Sequence, residues 1–97
     1  MTVEELLERY ATGERDFGGV DFGSVDLANT TLPEINLSGT NLSEANFVCA
    51  MLSEANFSGA NLTQAALSGA ILKNSNFSEA NLSGANLANC IFDGANL

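Results

Sequence analysis

Few side chains in this sequence can do chemistry, and their spacing limits what they can do. Asp16, Asp21 and Asp26 recur every five residues, and such a carboxylate cluster could share a proton for acid–base catalysis or hold Ca²⁺. Cys49 and Cys90 are the two thiols, forty-one residues apart and in no CxxC pair, and the chain has no His. The usual proton carrier at neutral pH and the usual zinc ligand are therefore missing. No nucleophile stands beside a base, and no Gly-rich loop cradles a phosphate. Twelve acids against Arg9, Arg15 and Lys73 give a net charge of −9, the wrong sign for direct binding to nucleic acid or to an anionic membrane surface. These residues predict no catalytic, cofactor-binding or metal site, and so a protein that is not an enzyme.

The three aspartates are positioned by a repeat. From Phe17 to Leu97 every fifth residue is Phe or Leu, seventeen in all. That period matches neither the 3.6 of a helix nor the 2 of a long strand, so the chain must turn once in every five residues. Two positions before each Phe or Leu stands a small or β-branched residue, Ala nine times, with Arg15 before Phe17 as the departure. Residues two apart on an extended segment share a face, so both point inward and the residue between them, usually Asn, points outward. The next two residues, mostly Ser, Gly, Glu or Asn, carry turn chemistry. Gly at positions such as Gly39 and Gly59 suits the positive φ of a type II turn, whereas Glu44, Glu54 and Glu79 are expected in another turn type. On this frame Asp16, Asp21 and Asp26 occupy three successive faces and point apart, so they read as solvated surface.

The motif Ala-Asn-[Leu/Phe]-Ser-Gly is plain at Ala55-Asn56-Phe57-Ser58-Gly59 and Ala80-Asn81-Leu82-Ser83-Gly84, and it resembles the pentapeptide repeat family over residues 15–97. The resemblance implies an all-β solenoid, a right-handed quadrilateral β-helix with four five-residue faces per coil and about four coils here. The outward positions that lose Asn support the same cross-section. Thr31, Met51, Ile71 and Ile91 fall twenty residues apart and would stack on one face at about 4.8 Å per coil, while Ala66 falls on another face. Asn columns such as Asn41, Asn61 and Asn81 are expected to stack as amides on an exposed sheet, in a structural role.

Ahead of the repeat, residues 2–13 read as a helix, which divides the chain into an N-terminal capping helix (1–14) and a β-helix (15–97). Thr2 as N-cap with Glu5 three residues on makes a capping box, and Gly13 supplies the stop. Val3, Leu6, Leu7 and Tyr10 form an apolar stripe expected to cover the open first coil, with Arg9 pairing to Glu5.

Two surfaces are candidate interfaces. The Thr31, Met51, Ile71 and Ile91 stripe is either a docking face for a partner or an apolar ladder that stabilises its own sheet. The last coil, with Leu82, Leu87, Phe92 and Leu97 inward, has no capping segment after it, and repeat solenoids need their ends covered. Self-association or an unknown protein partner is expected there. The leading function is thus a non-catalytic structural or protein-interaction module, to which the resemblance itself assigns no physiological role. Short stand-alone members of the family abound in cyanobacteria. Other members act as DNA mimics on a type II topoisomerase such as DNA gyrase, which is the alternative. Residues 15–97 carry eight acids and two bases, a net of −6, against about twelve charges on duplex DNA of the roughly 20 Å that four coils span.

Glu4 and Glu5 stand where a secretory signal would carry positive charge, and no apolar run approaches the ~20 residues of a membrane span. A cytoplasmic protein is expected, with no membrane contact. Cys49 falls on an outward turn and Cys90 in a slot otherwise held by Ala, about 10 Å apart along the axis, beyond the ~7 Å that a disulfide spans. Both thiols are expected free and reduced.

Overall fold

A computed structural model describes residues 1–97. The chain opens with helix α1, Val3–Ala11. Its start is closed by a capping box in which the Glu5 N–H donates to the Thr2 hydroxyl at 3.1 Å and the Thr2 N–H donates to the Glu5 carboxylate at 3.2 Å. Leu6 is fully buried, and Val3 and Tyr10 pack partly against the same core. Leu7 is exposed, because the contact centres on the direction shared by Leu6 and Tyr10 and leaves Leu7 on the rim. The expected Arg9 to Glu5 pair is also absent. The Glu5 carboxylate is taken by the capping box, and Arg9 pairs with Glu14 at 2.8 Å instead.

From Asp16 onward the backbone bridges are all parallel, and each joins residues twenty apart, from Asp16 with Asn36 to Asn76 with Asn96. Four series of bridges result, each naming a face: Asp16, Asp21, Asp26 and Thr31 stand at the start of one series each. The ladder between coils is regular. The Leu62 N–H donates to the Asn81 carbonyl at 2.8 Å, and the Asn81 N–H donates back to the Ala60 carbonyl at 2.9 Å.

The inward pattern of large and small residues fills the interior. Leu27 through Phe77 at the large positions are buried, and so are Ala45, Ala50, Ala55, Ala60, Ala65 and Ala70 at the small ones. Phe57 stacks on Phe77, one coil away, at 5.0 Å between ring centroids, and meets Phe47 edge-on at 5.8 Å. Thr40 and Ser75 take small inward positions by donating their hydroxyls to the Leu37 and Leu72 carbonyls, so no buried side-chain polar atom is without a partner.

The corners correct one expectation. At Leu42-Ser43-Glu44-Ala45 the Ala45 N–H donates to the Leu42 carbonyl at 3.0 Å and Glu44 has φ 60°, a type II turn. Glu54 at 63° and Glu79 at 59° adopt the same left-handed backbone, as Gly39 and Gly59 do, so the Glu corners use the glycine turn. An L-residue gives up roughly 1–2 kcal/mol in that conformation. The inter-coil ladder offsets it, because the Glu44 N–H donates to the Thr63 carbonyl at 2.8 Å and the Glu54 N–H to the Lys73 carbonyl at 2.7 Å only in this geometry. The corner after Phe22 differs: Gly23 has φ 49° and the Val25 N–H closes a tighter turn onto the Gly23 carbonyl at 2.7 Å.

Candidate interaction surface

The outward Asn residues make a bond that stacked amides do not describe. The Asn56 side-chain oxygen accepts the Ser58 N–H at 2.9 Å, the Asn61 oxygen accepts the Thr63 N–H at 3.1 Å, and the Asn81 oxygen accepts the Ser83 N–H at 3.0 Å. From Asn36 to Asn86 every outward Asn, and Asp16 and Asp26 before them, thus closes an Asx turn on the first N–H of the corner that follows; at Asp21 the Gly23 N–H donates to the Asn41 carbonyl instead. Contacts between successive amides are longer, 3.5 Å from Asn61 to Asn41 and 3.4 Å from Asn96 to Asn76. The spacing Asn-x-Ser, two residues apart, is the sequence signal for this bond.

The Thr31 face forgoes it. Thr31, Met51, Ile71 and Ile91 are joined in one series of bridges, as their spacing predicts. Pro33 has no N–H to satisfy, but the N–H groups of Ser53, Lys73 and Asp93 donate to no protein atom. Met51 is 46% exposed and Ile91 41%, Ile71 is half-buried, and the Thr31 hydroxyl lies 3.7 Å from the Met51 sulfur. Beside this stripe the corner shared with the Asp26 face carries Val48 and Cys49, and of the residues bridged along the Asp26 face only Asp26 is charged. The other flank carries Glu34, Glu54, Lys73 and Asp93, all exposed.

The last coil is less covered than those beneath it. Leu62, Leu67 and Leu72 are fully buried, whereas Leu82, Leu87 and Phe92 are half-buried and Leu97 is 69% exposed. The aspartates at the other end are engaged singly. Asp16 accepts from the Gly18 N–H and from Asn36, Asp21 from Asn41, and Asp26 from the Ala28 N–H, on three different faces. Cys49 is exposed and Cys90 half-buried, both as free thiols, and burial pushes the Cys90 thiol above its ordinary value.

The family model for pentapeptide repeats matches residues 16–59 and 60–97 in eight copies. The chain belongs to the pentapeptide repeat family. A pentapeptide repeat protein from the Arabidopsis thaliana thylakoid lumen is 34% identical with a TM-score of 0.81, over 84% of this chain and 57% of its own length. A pentapeptide repeat protein from Nostoc Pcc 7120 is 36% identical with a TM-score of 0.54, over 99% of this chain and 95% of its own. This chain therefore spans little more than half of the first relative and nearly all of the second. No curated protein sequence matches it. The pentapeptide repeat neighbours imply a right-handed β-helix, and the family is in general non-catalytic. No helix of the chain is long and apolar enough to cross a membrane.

Proposed function

We propose that this pentapeptide repeat protein is a non-catalytic interaction module, a rod of about four coils with α1 over its first coil, that docks a partner protein through the Thr31 face. The carrying observation is the set of corner N–H groups at Ser53, Lys73 and Asp93, which Asn at positions 51, 71 and 91 would satisfy. An apolar ladder returns roughly 0.2–1 kcal/mol per neighbouring pair, whereas each side-chain bond to a corner N–H contributes roughly 0.5–1.5 kcal/mol. The face is thus less stable than an Asn version of itself, which is the signature of a surface kept for binding rather than for folding. One flank of the face is the Asp26 side, where only Asp26 is charged, and the other is the corner of Glu34, Glu54, Lys73 and Asp93, which fits a partner presenting an apolar strip with a charged edge on one side. The free thiols Cys49 and Cys90 suit a reducing compartment such as the cytoplasm.

The test compares the wild type with the triple variant Met51→Asn, Ile71→Asn, Ile91→Asn in quantitative partner capture. A partner bound by the wild type and lost from the folded variant is the expected result, and a partner retained equally by both refutes the docking face. DNA mimicry gains nothing from the placement of the acids, since Glu34 and Glu54 share one corner while Glu44 and Glu79 stand on two others. Folded protein is expected not to inhibit DNA gyrase in a supercoiling titration.

A further inference from the structure

We infer that the partner segment seated on the Thr31 face is an amphipathic α-helix lying along the axis of the rod, with a cationic edge set against Glu34 and Glu54. The inference rests on the docking reading above and adds the chemistry of the occupant. It starts from direction and spacing. The bridges that join Thr31, Met51, Ile71 and Ile91 stack these side chains along the axis, one to a coil. At about 4.8 Å per coil the stripe is roughly 14 Å long. A helix repeats its apolar side chains about every 5.4 Å, so three turns cover roughly 16 Å and keep each side chain within about 2 Å of its coil. An extended segment on the same line repeats on one side about every 6.7 Å and covers roughly 20 Å in three steps, which puts it more than a coil out of step. A helix laid across the face, about 10 Å in diameter, would meet only about two coils.

The flanks fix the charge of the helix edges. One corner beside the stripe, from Ala28 and Asn29 to Ala88 and Asn89, is uncharged throughout. The other carries three carboxylates, Glu34, Glu54 and Asp93, against the one ammonium of Lys73. None of the four is paired within the chain, whose single ion pair joins Arg9 to Glu14. Glu34 and Glu54 stand one coil apart in this corner, so Lys or Arg at successive turns of a helix edge meets them at nearly their own spacing. The free N–H groups of Ser53, Lys73 and Asp93 line the same corner. A helix bonds its carbonyls internally, so the acceptors offered to these groups are side-chain oxygens of that edge, such as those of Gln set between the cations. A second copy of this chain meets the surface with a net charge of −9 against −9, whereas a cation-edged helix meets it with the opposite sign.

The probe is a capped, Ala-rich synthetic peptide of about eighteen residues, long enough to hold a helix in water, with Leu at i, i+4, i+7 and i+11, Lys and Gln along one edge of that stripe and Ala along the other. The full chain is titrated with it at physiological salt while its backbone N–H groups are followed by NMR. Saturable shifts are expected at the Ser53, Lys73 and Asp93 N–H groups, with those of Ser58, Thr63 and Ser83 on the other faces unmoved. Exchanging Lys for Glu in the peptide is expected to abolish the shifts. Glu34→Gln with Glu54→Gln is expected to weaken binding at least about threefold, the loss of two exposed ion pairs, while Glu44→Gln with Glu79→Gln, which removes the same charge from two other corners, leaves it within about twofold. Gln64 already holds the left-handed corner at φ 60°, so Gln is compatible with the fold at all four positions. Equal weakening by the two pairs of substitutions, equal binding of the Lys and Glu peptides, or no shift at the three N–H groups overturns the inference. So does equal binding of a peptide with Pro in place of a central Ala. The docking reading fails on a different result, a partner protein captured equally by the wild type and by the Met51→Asn, Ile71→Asn, Ile91→Asn variant, so the two failures are told apart.

Discussion

Replacing Met51, Ile71 and Ile91 together by Asn should make the protein more stable, although it removes the most regular apolar feature of its surface. Each new Asn oxygen would stand where Asn56, Asn61 and Asn81 already accept the N–H two residues on, at 2.9 to 3.1 Å. The groups thereby satisfied are the N–H of Ser53, Lys73 and Asp93, which have no protein partner. Three such bonds contribute about 1.5–4.5 kcal/mol, and the two lost apolar pairs, Met51 with Ile71 and Ile71 with Ile91, about 0.4–2 kcal/mol. The middle of the difference is about 2 kcal/mol, which for a domain of this size raises Tm by about 8–16 °C. A reversible thermal melt followed by far-ultraviolet circular dichroism reads it. An unchanged or lowered Tm refutes the reasoning, because it would mean that the ladder stabilises the sheet by more than the corner bonds it displaces, and the stripe would then be a structural device.

Leu62→Lys should abolish the cooperative melt at 25 °C, since Leu62 is fully buried and an unpaired ammonium there costs several kcal/mol of a total stability of roughly 5–15 kcal/mol; a preserved melt would contradict the inward assignment. Acid should loosen α1. The Thr2 backbone bond, then the Thr2 side-chain bond, hold the Glu5 carboxyl below its ordinary 4.5, so its contribution is fully present above that value and is lost as pH falls through the lowered one. Circular dichroism at 222 nm between pH 5 and 2 checks this, and Glu5→Gln should remove the transition. Under a thiol reagent at pH 8, Cys49 should react first and Cys90 at least tenfold more slowly, because Cys90 is partly buried with its thiol pushed up; equal rates would show the last coil to be frayed.

The fold was legible because its two periods are written directly in residue types: five in the Phe and Leu series, and twenty in the outward exceptions Thr31, Met51, Ile71 and Ile91. Local propensity misled where a long-range bond decides the outcome. Glu44 and Glu54 have no preference for a left-handed backbone, and only the carbonyls of Thr63 and Lys73 a coil away place them there. Leu7 satisfies the helical spacing but not the flatness of what α1 lies on, and Arg9 finds Glu14 because Glu5 is already engaged. At the candidate interface the spacing gave the membership of the stripe. Its significance was hidden, because the decisive fact is a bond that Asn makes on the other three faces and that residues 51, 71 and 91 cannot make.

The uniform corner has a consequence for how such a chain can change. Because every regular corner turns the chain in the same way, a deletion of five residues returns each later Phe or Leu to an inward site, and the packing survives. What moves is the outside. Removing residues 56–60 would carry Ile71 and Ile91 from the face of Met51 to that of Asn46, breaking the stripe while leaving the interior filled. Only a change of twenty residues keeps both. The molecule therefore has two reading frames superimposed, a short one for folding and one four times longer for surface identity, and length variation can rewrite what the rod presents without rewriting what holds it together.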